Sequence, residues 1–222
     1  IKPEDKVKVA IVGKYVKLED SYIYVVESLQ HAGFVNKVKV EIDMVDSETI
    51  VAENVKEKLS KYDAIVVPGG FGDRGIEGMI ETIKYAREEK VPFLGICLGM
   101  QMTVVEYARN VLGLKDANSA EFSKTTKNSV IHIMETQKDI KKKGGTMRLG
   151  SYPCVIKTGS LAEEVYGASK IDERHRHRFE YNNEYKERLE NAGLICSGVS
   201  PDGSLVEIVE LEPKAHPYFK AG

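Results

Sequence analysis

Apolar positions in the first half of the chain follow two alternating rhythms. Val7-Lys-Val-Ala-Ile-Val12 alternates and then becomes fully apolar before Gly13, the pattern of a strand running into a core. Residues 20–32 change to a helical period. Tyr22, Val25, Val26 and Leu29 share one face, Asp20 or Ser21 stands where a cap belongs, and Gly33 stands where the helix is expected to end. Lys37 to Asp43 alternates as a second strand, and residues 47–60 read as a short helix opened by Ser47. Ala64-Ile-Val-Val-Pro68 reads as a third strand, residues 76–89 as a helix and Val91 to Ile96 as a fourth strand. A further helix follows Cys97 and extends to about Asn110. Strands and helices in strict alternation predict a parallel sheet covered by helices on both faces.

The second half reads differently. Ile131, Ile133 and Met134 form a short apolar stretch, while Cys154-Val-Ile-Lys157 and Val206-Glu-Ile-Val-Glu-Leu211 alternate as strands. Asn182 to Asn191 reads as a helix ended by Gly193, and Leu194 to Ser197 as another strand. Ser200-Pro-Asp-Gly203 is a turn between two strands. The expected fold is therefore α/β: a mostly parallel central sheet flanked by helices, with β-hairpins added, in a single domain over residues 1–222. Lys141-Lys-Lys143 reads as a solvated loop.

Composition narrows the function classes. The 222 residues carry 32 basic and 34 acidic side chains, a formal net charge of −2, which argues against a general nucleic-acid binder. No apolar run approaches the roughly 20 residues that span a bilayer. The start, Ile1-Lys-Pro-Glu-Asp, has no signal-peptide pattern and no initiator methionine, so a piece of a longer protein is expected. Cys97, Cys154 and Cys196 are widely spaced and odd in number, which fits free thiols in a reducing, cytoplasmic setting. No pair of them has zinc-ligand spacing, and no metal is expected in this domain. Cys154 and Cys196 lie in alternating strands and read as core residues.

Two loops carry the chemistry. Phe93-Leu-Gly-Ile-Cys-Leu-Gly-Met-Gln101 runs apolar, sets one cysteine between glycines and then turns helical, the layout of a nucleophile elbow. Gly95 and Gly99 permit a tight turn, the helix N-terminus is expected to favour a Cys97 thiolate, and the Leu98 amide faces the same space. Pro68-Gly-Gly-Phe-Gly-Asp-Arg-Gly75 follows the third strand; no Gly-Lys-Ser/Thr follows it, so it is not a phosphate-binding P-loop. Two loops at carboxyl ends of parallel strands converge on one crevice. A cysteine attacking there, with two amides facing the oxyanion, means acyl transfer.

These residues resemble the class I (triad) glutamine amidotransferases, which share a flavodoxin-like sheet. Gly13-Lys-Tyr-Val-x-Leu-x-Asp-Ser-Tyr22, Ala117-Asn-Ser-Ala-Glu-Phe122, Gly144-Gly-Thr-Met-Arg-Leu-Gly150, Glu173-Arg-His-Arg-His-Arg-Phe-Glu180 and Ser200-Pro-Asp-Gly203 look like the amidotransferase domain of the CTP synthase family. The resemblance covers essentially the whole chain, without that family's amino-terminal synthetase domain. It implies that Cys97 forms a glutamyl thioester from L-glutamine and releases ammonia, with the Gly70 and Leu98 amides as oxyanion hole. It further implies that Glu121 binds the amino group, that Arg178 binds the α-carboxylate with the Phe179 backbone assisting, and that Gly99, Met100 and Gln101 line the pocket. For the full enzyme it implies ATP, magnesium, allosteric GTP and a homo-oligomer, a tetramer. Gly144 to Gly150 and the Tyr15–Tyr22 loop are plausible interface elements.

The resemblance breaks at the general base. Class I enzymes supply it from a late His-Pro-Glu segment, and the comparable phrase here is His216-Pro-Tyr-Phe219, with no acid at position 218. In one alignment His216 is the base and Tyr218 replaces the acid. In the other, preferred because too little chain follows Leu211 to hold the intervening strand, the phrase matches an earlier His-Pro-aromatic-Phe segment. The chain is then expected to stop short of its base. Two rival readings remain: a free-standing γ-glutamyl hydrolase and a catalytically silent regulatory module.

Overall fold

The computed structural model describes residues 3–16, 18, 20–133 and 148–222. Met134, Lys141 to Lys143 and the Gly144 to Met147 part of the glycine motif lie outside the described residues. Strand β1 (Asp5–Gly13) pairs in parallel with β2 (Val38–Asp46) on one side and β3 (Ala64–Val67) on the other. Beyond β3 lie β4 (Phe93–Gly95) and then β12 (Phe219–Ala221), again parallel. The same sheet continues antiparallel through β11 (Val206–Leu211), β10 (Leu194–Val199), β7 (Arg148–Ile156) and β8 (Lys170–His177). A smaller sheet joins β5 (Asn118–Ser119), β6 (Ser129–Ile133) and β9 (Phe179–Tyr181). The α/β expectation, parallel strands with antiparallel hairpins added, holds.

Helices α1 (Ile23–Val35), α2 (Val55–Leu59), α3 (Ile76–Glu88), α4 (Leu98–Asn110), α5 (Leu161–Tyr166) and α6 (Lys186–Asn191) surround the sheets. The main core lies on the α3–α4 face, where Met79, Ile83, Met102, Val104 and Val105 meet Phe93 and Phe219. On the other face Tyr22, Val25, Val26 and Leu29 pack against Val9, Ile11 and Val66, the stripe expected of that helix. Among the described residues no helix is long and apolar enough to cross a membrane.

Several local expectations are corrected. No side-chain cap opens α1, so neither Asp20 nor Ser21 serves as one. Gly33 does not end α1 but sits inside it, because a Cβ there would approach the Val38 carbonyl oxygen to 2.7 Å. Ser47 opens a 3-10 turn over Ser47–Thr49, not the helix, which begins at Val55. Helix α5 and strands β5, β8, β9 and β12 were not predicted.

Candidate active site

Strand β4 ends at Gly95, and the chain reverses at Cys97 with φ 55° and ψ −103°, a positive φ rare for a side chain bearing Cβ. Close packing enforces the bend. A Cβ on Gly99 would collide with the Val67 carbonyl oxygen, and one on Gly95 would come within 2.9 Å of Ala221 and of the Gly99 backbone. The Gly99 N–H donates to Ile96 O at 2.9 Å and the Gln101 N–H to Cys97 O at 3.1 Å, starting α4. From the side of β12, Gly222 O accepts the Cys97 N–H at 2.8 Å while the Gly222 N–H donates to Gly95 O at 3.0 Å. The facing glycine loop comes so close that a Cβ on Gly69 would lie 3.4 Å from Cys97 Cβ and 3.8 Å from Sγ.

A cavity of about 290 Å³ opens at this point, and its wall joins Gly70, Cys97, Gln101, Glu121, Arg178 and Phe179. Gln101 Nε2 donates to Phe179 O at 3.1 Å, which ties α4 to β9 across the cavity floor. Glu121 Oε1 accepts the Gly72 N–H at 3.3 Å. Three other expected residues do not line the wall with their side chains. Leu98 is buried, and only its amide faces the Cys97 sulfur, on which it acts to favour the thiolate. Gly99 lies against Val67, and Met100 belongs to the core, and neither is part of the cavity wall.

Burial, the largest influence, pushes the Cys97 thiol up to about 11; the Leu98 N–H pulls the other way, and the Glu180 and Glu121 carboxylates add to the rise. The expected thiolate character is therefore corrected: one helix-terminal amide does not outweigh desolvation beside two acids. His216 is not the partner of Cys97. Register pairs Phe219 with Phe93 and Ala221 with Gly95 in parallel, so His216 precedes the amino ends of these strands while Cys97 follows their carboxyl ends. Its Nε2 lies 2.9 Å from Ala86 O, and its Nδ1 accepts the Tyr218 N–H at 3.2 Å.

Phe71, Arg176 and His177 also line the cavity. They escaped sequence reasoning, although strand alternation from Arg174 to Arg178 puts Arg176 and Arg178 on one face. Cys97 and His177 also border a second cavity of about 490 Å³, which extends toward Glu207, Lys220 and Gly222. Behind His177 runs a buried charge chain. His177 Nδ1 is 3.1 Å from His175 Nδ1, His175 Nδ1 is 3.6 Å from Glu207, and Arg148 reaches Glu207 at 2.5 Å and Glu180 at 3.5 Å. Burial, then His175 and Arg148, hold His177 down at about 4 against the opposing pull of Glu207. Burial and Glu207 raise Glu180 to about 7 despite Arg148. Among the described residues no group of three or more His, Cys, Asp or Glu side chains is placed to hold a metal ion.

A strained cysteine at a helix start, an amide-rich loop facing it, and a cavity with a carboxylate and a guanidinium form an amidotransferase arrangement. The family model for class-I glutamine amidotransferases matches residues 17–218. The chain belongs to this family. The chain is 57% identical over 215 residues to a CTP synthase of Halalkalibacterium halodurans and 58% identical over 219 residues to one of Caldanaerobacter subterraneus. These matches cover 97% and 99% of this chain but 40% of each relative, so the chain spans about two fifths of their length. Among solved structures, the glutaminase domain of Trypanosoma brucei CTPS with bound acivicin is 38% identical with a TM-score of 0.89, covering 97% of this chain and 84% of that one. The amidotransferase is thus of the kind found in CTP synthases.

Proposed function

We propose that the cavity binds L-glutamine and that Cys97 hydrolyses its side-chain amide. Glu121 receives the α-ammonium, and Arg178, beside the Phe179 backbone, receives the α-carboxylate, a pairing that favours a planar guanidinium. The Cys97 sulfur attacks the γ-carbonyl carbon, whose oxygen turns toward the Gly70 and Leu98 amides. The C–N bond then breaks, the thiol proton leaves with the nitrogen as ammonia, and water converts the glutamyl thioester to glutamate. Because the thiol is pushed up to about 11, a base must take its proton during attack. The observation that carries this reading is the single cavity shared by Cys97, Glu121 and Arg178.

For the whole protein, we assign the ammonia to an amino-terminal synthetase domain that aminates ATP-activated UTP to CTP. ATP and magnesium belong to that domain, GTP acts as allosteric activator, and the assembly is a homo-tetramer in the cytoplasm. Support comes from relatives that are CTP synthases of which this chain spans 40%.

The test is covalent labelling with a chloroketone analogue of glutamine. Modification is expected at Cys97, with glutamine protecting, and Glu121→Gln or Arg178→Met is expected to weaken protection about tenfold or more. Labelling elsewhere, or protection that ignores both substitutions, overturns the reading. Acivicin, held by the Trypanosoma brucei domain, is expected to compete for the same site. The labelling rate should climb about tenfold per pH unit from pH 7 toward the raised thiol value, since only the thiolate attacks. Turnover by the 222-residue chain alone is expected to be slow; robust turnover would hand the role of base to His177. A silent regulatory module would instead leave Cys97 unlabelled even in the full-length protein.

A further inference from the structure

We propose that Lys14 is a positioning residue for the oxyanion loop, a buried ammonium that holds the glycine-rich turn by its carbonyl groups. This rests on the cavity being the glutamine site, with the Gly70 amide facing the reacting carbonyl. Lys14 directly follows β1 and is 2% exposed, a burial that lysine rarely reaches unless its charge is partnered. Its Nζ donates to the Phe71 carbonyl at 3.0 Å and also to the Gly72 carbonyl. Its stem supports the loop as well, since a Cβ on Gly70 would lie 3.3 Å from Lys14 Cε.

The neighbouring residues fix Lys14 in turn. The Tyr22 hydroxyl accepts the Lys14 and Tyr15 N–H groups, both at 3.2 Å, and Arg74 Nη2 donates to the Lys14 carbonyl at 3.0 Å. Arg74 is itself held by Glu48 at 2.6 Å. The Tyr15 hydroxyl adds a second fastening, 3.3 Å from both the Phe71 nitrogen and the Phe71 oxygen. Gly72 is therefore gripped at both ends, with its N–H on Glu121 and its carbonyl on Lys14.

This matters because glycine-rich backbone is intrinsically loose. An oxyanion donor accelerates a reaction only when its direction is set before charge develops. With the carbonyls of residues 71 and 72 anchored, the amide at Gly70 keeps its aim. Lys14 does not line the cavity, and two of its three ammonium hydrogens are directed at the Phe71 and Gly72 carbonyls, so it acts through the loop and not on the substrate. Its removal should therefore weaken the tetrahedral adduct and leave ground-state binding of glutamine almost unchanged.

Two ligands separate these states. Glutamine reads ground-state binding. An analogue with an aldehyde in place of the carboxamide forms a hemithioacetal with Cys97. In that adduct the sulfur–carbon bond forms, the carbonyl π pair moves to oxygen, the thiol proton ends on that oxygen, and nothing leaves. Lys14→Met keeps the apolar stem and is expected to weaken the aldehyde about tenfold or more. It should shift glutamine by less than about threefold. Lys14→Arg, which keeps a cation with several donors, should recover most of the aldehyde affinity. Tyr15→Phe, altered at an exposed hydroxyl, should show a smaller loss of the same selectivity, and it carries the test if Lys14→Met does not fold. Equal weakening of both ligands, or no change in either, overturns the proposal while the site reading stands. Failure of the parent protein to bind either ligand overturns the site reading, and the proposal with it.

Discussion

The two halves of the large sheet build the site by different physics. On the parallel side, β1, β3, β4 and β12 place Cys97 and the facing amides through backbone packing. Gly95 and Gly99 leave no room for a Cβ, and a Cβ on Gly69 would touch Cys97. On the antiparallel side, Arg176 and Arg178 bring charge to the cavity wall, and a buried ion chain lies behind them. Arg148 on β7 joins Glu207 on β11 and reaches across to Glu180 on β9 of the smaller sheet, immediately behind Phe179 and the Arg176–Arg178 wall. A steric scaffold is indifferent to pH. A buried ionic scaffold is not, because charges taken out of water depend on staying paired and on their protonation state. The elbow should therefore fail the same way at every pH, while the charged wall of the cavity should strengthen and weaken with protons.

The sharpest break is Arg148→Met. It leaves Glu207 and Glu180 buried without their cation and is expected to lower stability by about 3–5 kcal/mol at pH 8. The loss should be smaller at pH 5, where Glu180, raised to about 7, is already protonated. Glu180→Gln probes the same carboxyl from the other side. The folded state holds the Glu180 proton more tightly than the unfolded state, so its contribution is full below the ordinary carboxyl range and falls as pH rises through about 7. His175 and His177, both held down by burial, act in the opposite sense: their contribution is present above the ordinary histidine value and is lost as pH falls below it. Comparing parent and Glu180→Gln cancels the histidines. The variant should gain on the parent between pH 4.5 and pH 8 by on the order of 3 kcal/mol, from the size of the Glu180 shift. Urea unfolding at both pH values reads these numbers, and a pH-independent loss for Arg148→Met would remove the contrast between the halves.

Gly99→Ala tests the steric half. Its methyl meets a backbone carbonyl, not the movable end of a side chain, so the strand-to-helix junction must shift. The expected loss is about 1–3 kcal/mol, the same at pH 5 and pH 8. Labelling of Cys97 should slow in parallel. A loss that varied with pH would show that the elbow shares the ionic support of the wall.

The same division decides what the sequence reveals. Steric demands write themselves as glycine, so the elbow and its partner loop are legible from Gly69, Gly70, Gly95 and Gly99 alone. Buried ionic demands leave no such mark. Val206-Glu-Ile-Val-Glu-Leu211 alternates like a strand with one wet face, yet all six residues are buried, because Val206, Val209 and Leu211 join the main core while Ile208 packs with Ala162 of α5. Glu207 meets Arg148, and Glu210 accepts the N–H groups of Leu161 at 2.7 Å and Ala162 at 3.0 Å. These partners stand 59, 49 and 48 residues away, beyond the reach of a periodicity argument. Strand β12 has three residues, too few to alternate, and Lys14 looks like any lysine after a strand until the glycine loop folds over it. The motif signature supplied Glu121 and Arg178. The resemblance also put Gly99 and Met100 on the wall, but a helix turns neighbouring residues to different faces.

The smallest effect lies at the junction of the two halves. Cys97 holds a positive φ that disfavours any residue with a Cβ, and such strain costs on the order of 1–3 kcal/mol. Cys97→Ala keeps the Cβ and the strain, whereas Cys97→Gly releases the strain but frees the unfolded chain by about 0.5–1 kcal/mol. The glycine variant should therefore exceed the alanine variant in stability by about 1 kcal/mol, although glycine is usually the weaker choice next to a helix. Neither variant should react with the chloroketone. Equal stabilities, or an advantage for alanine, would mean that the elbow is relaxed and that the parallel half holds its nucleophile without strain.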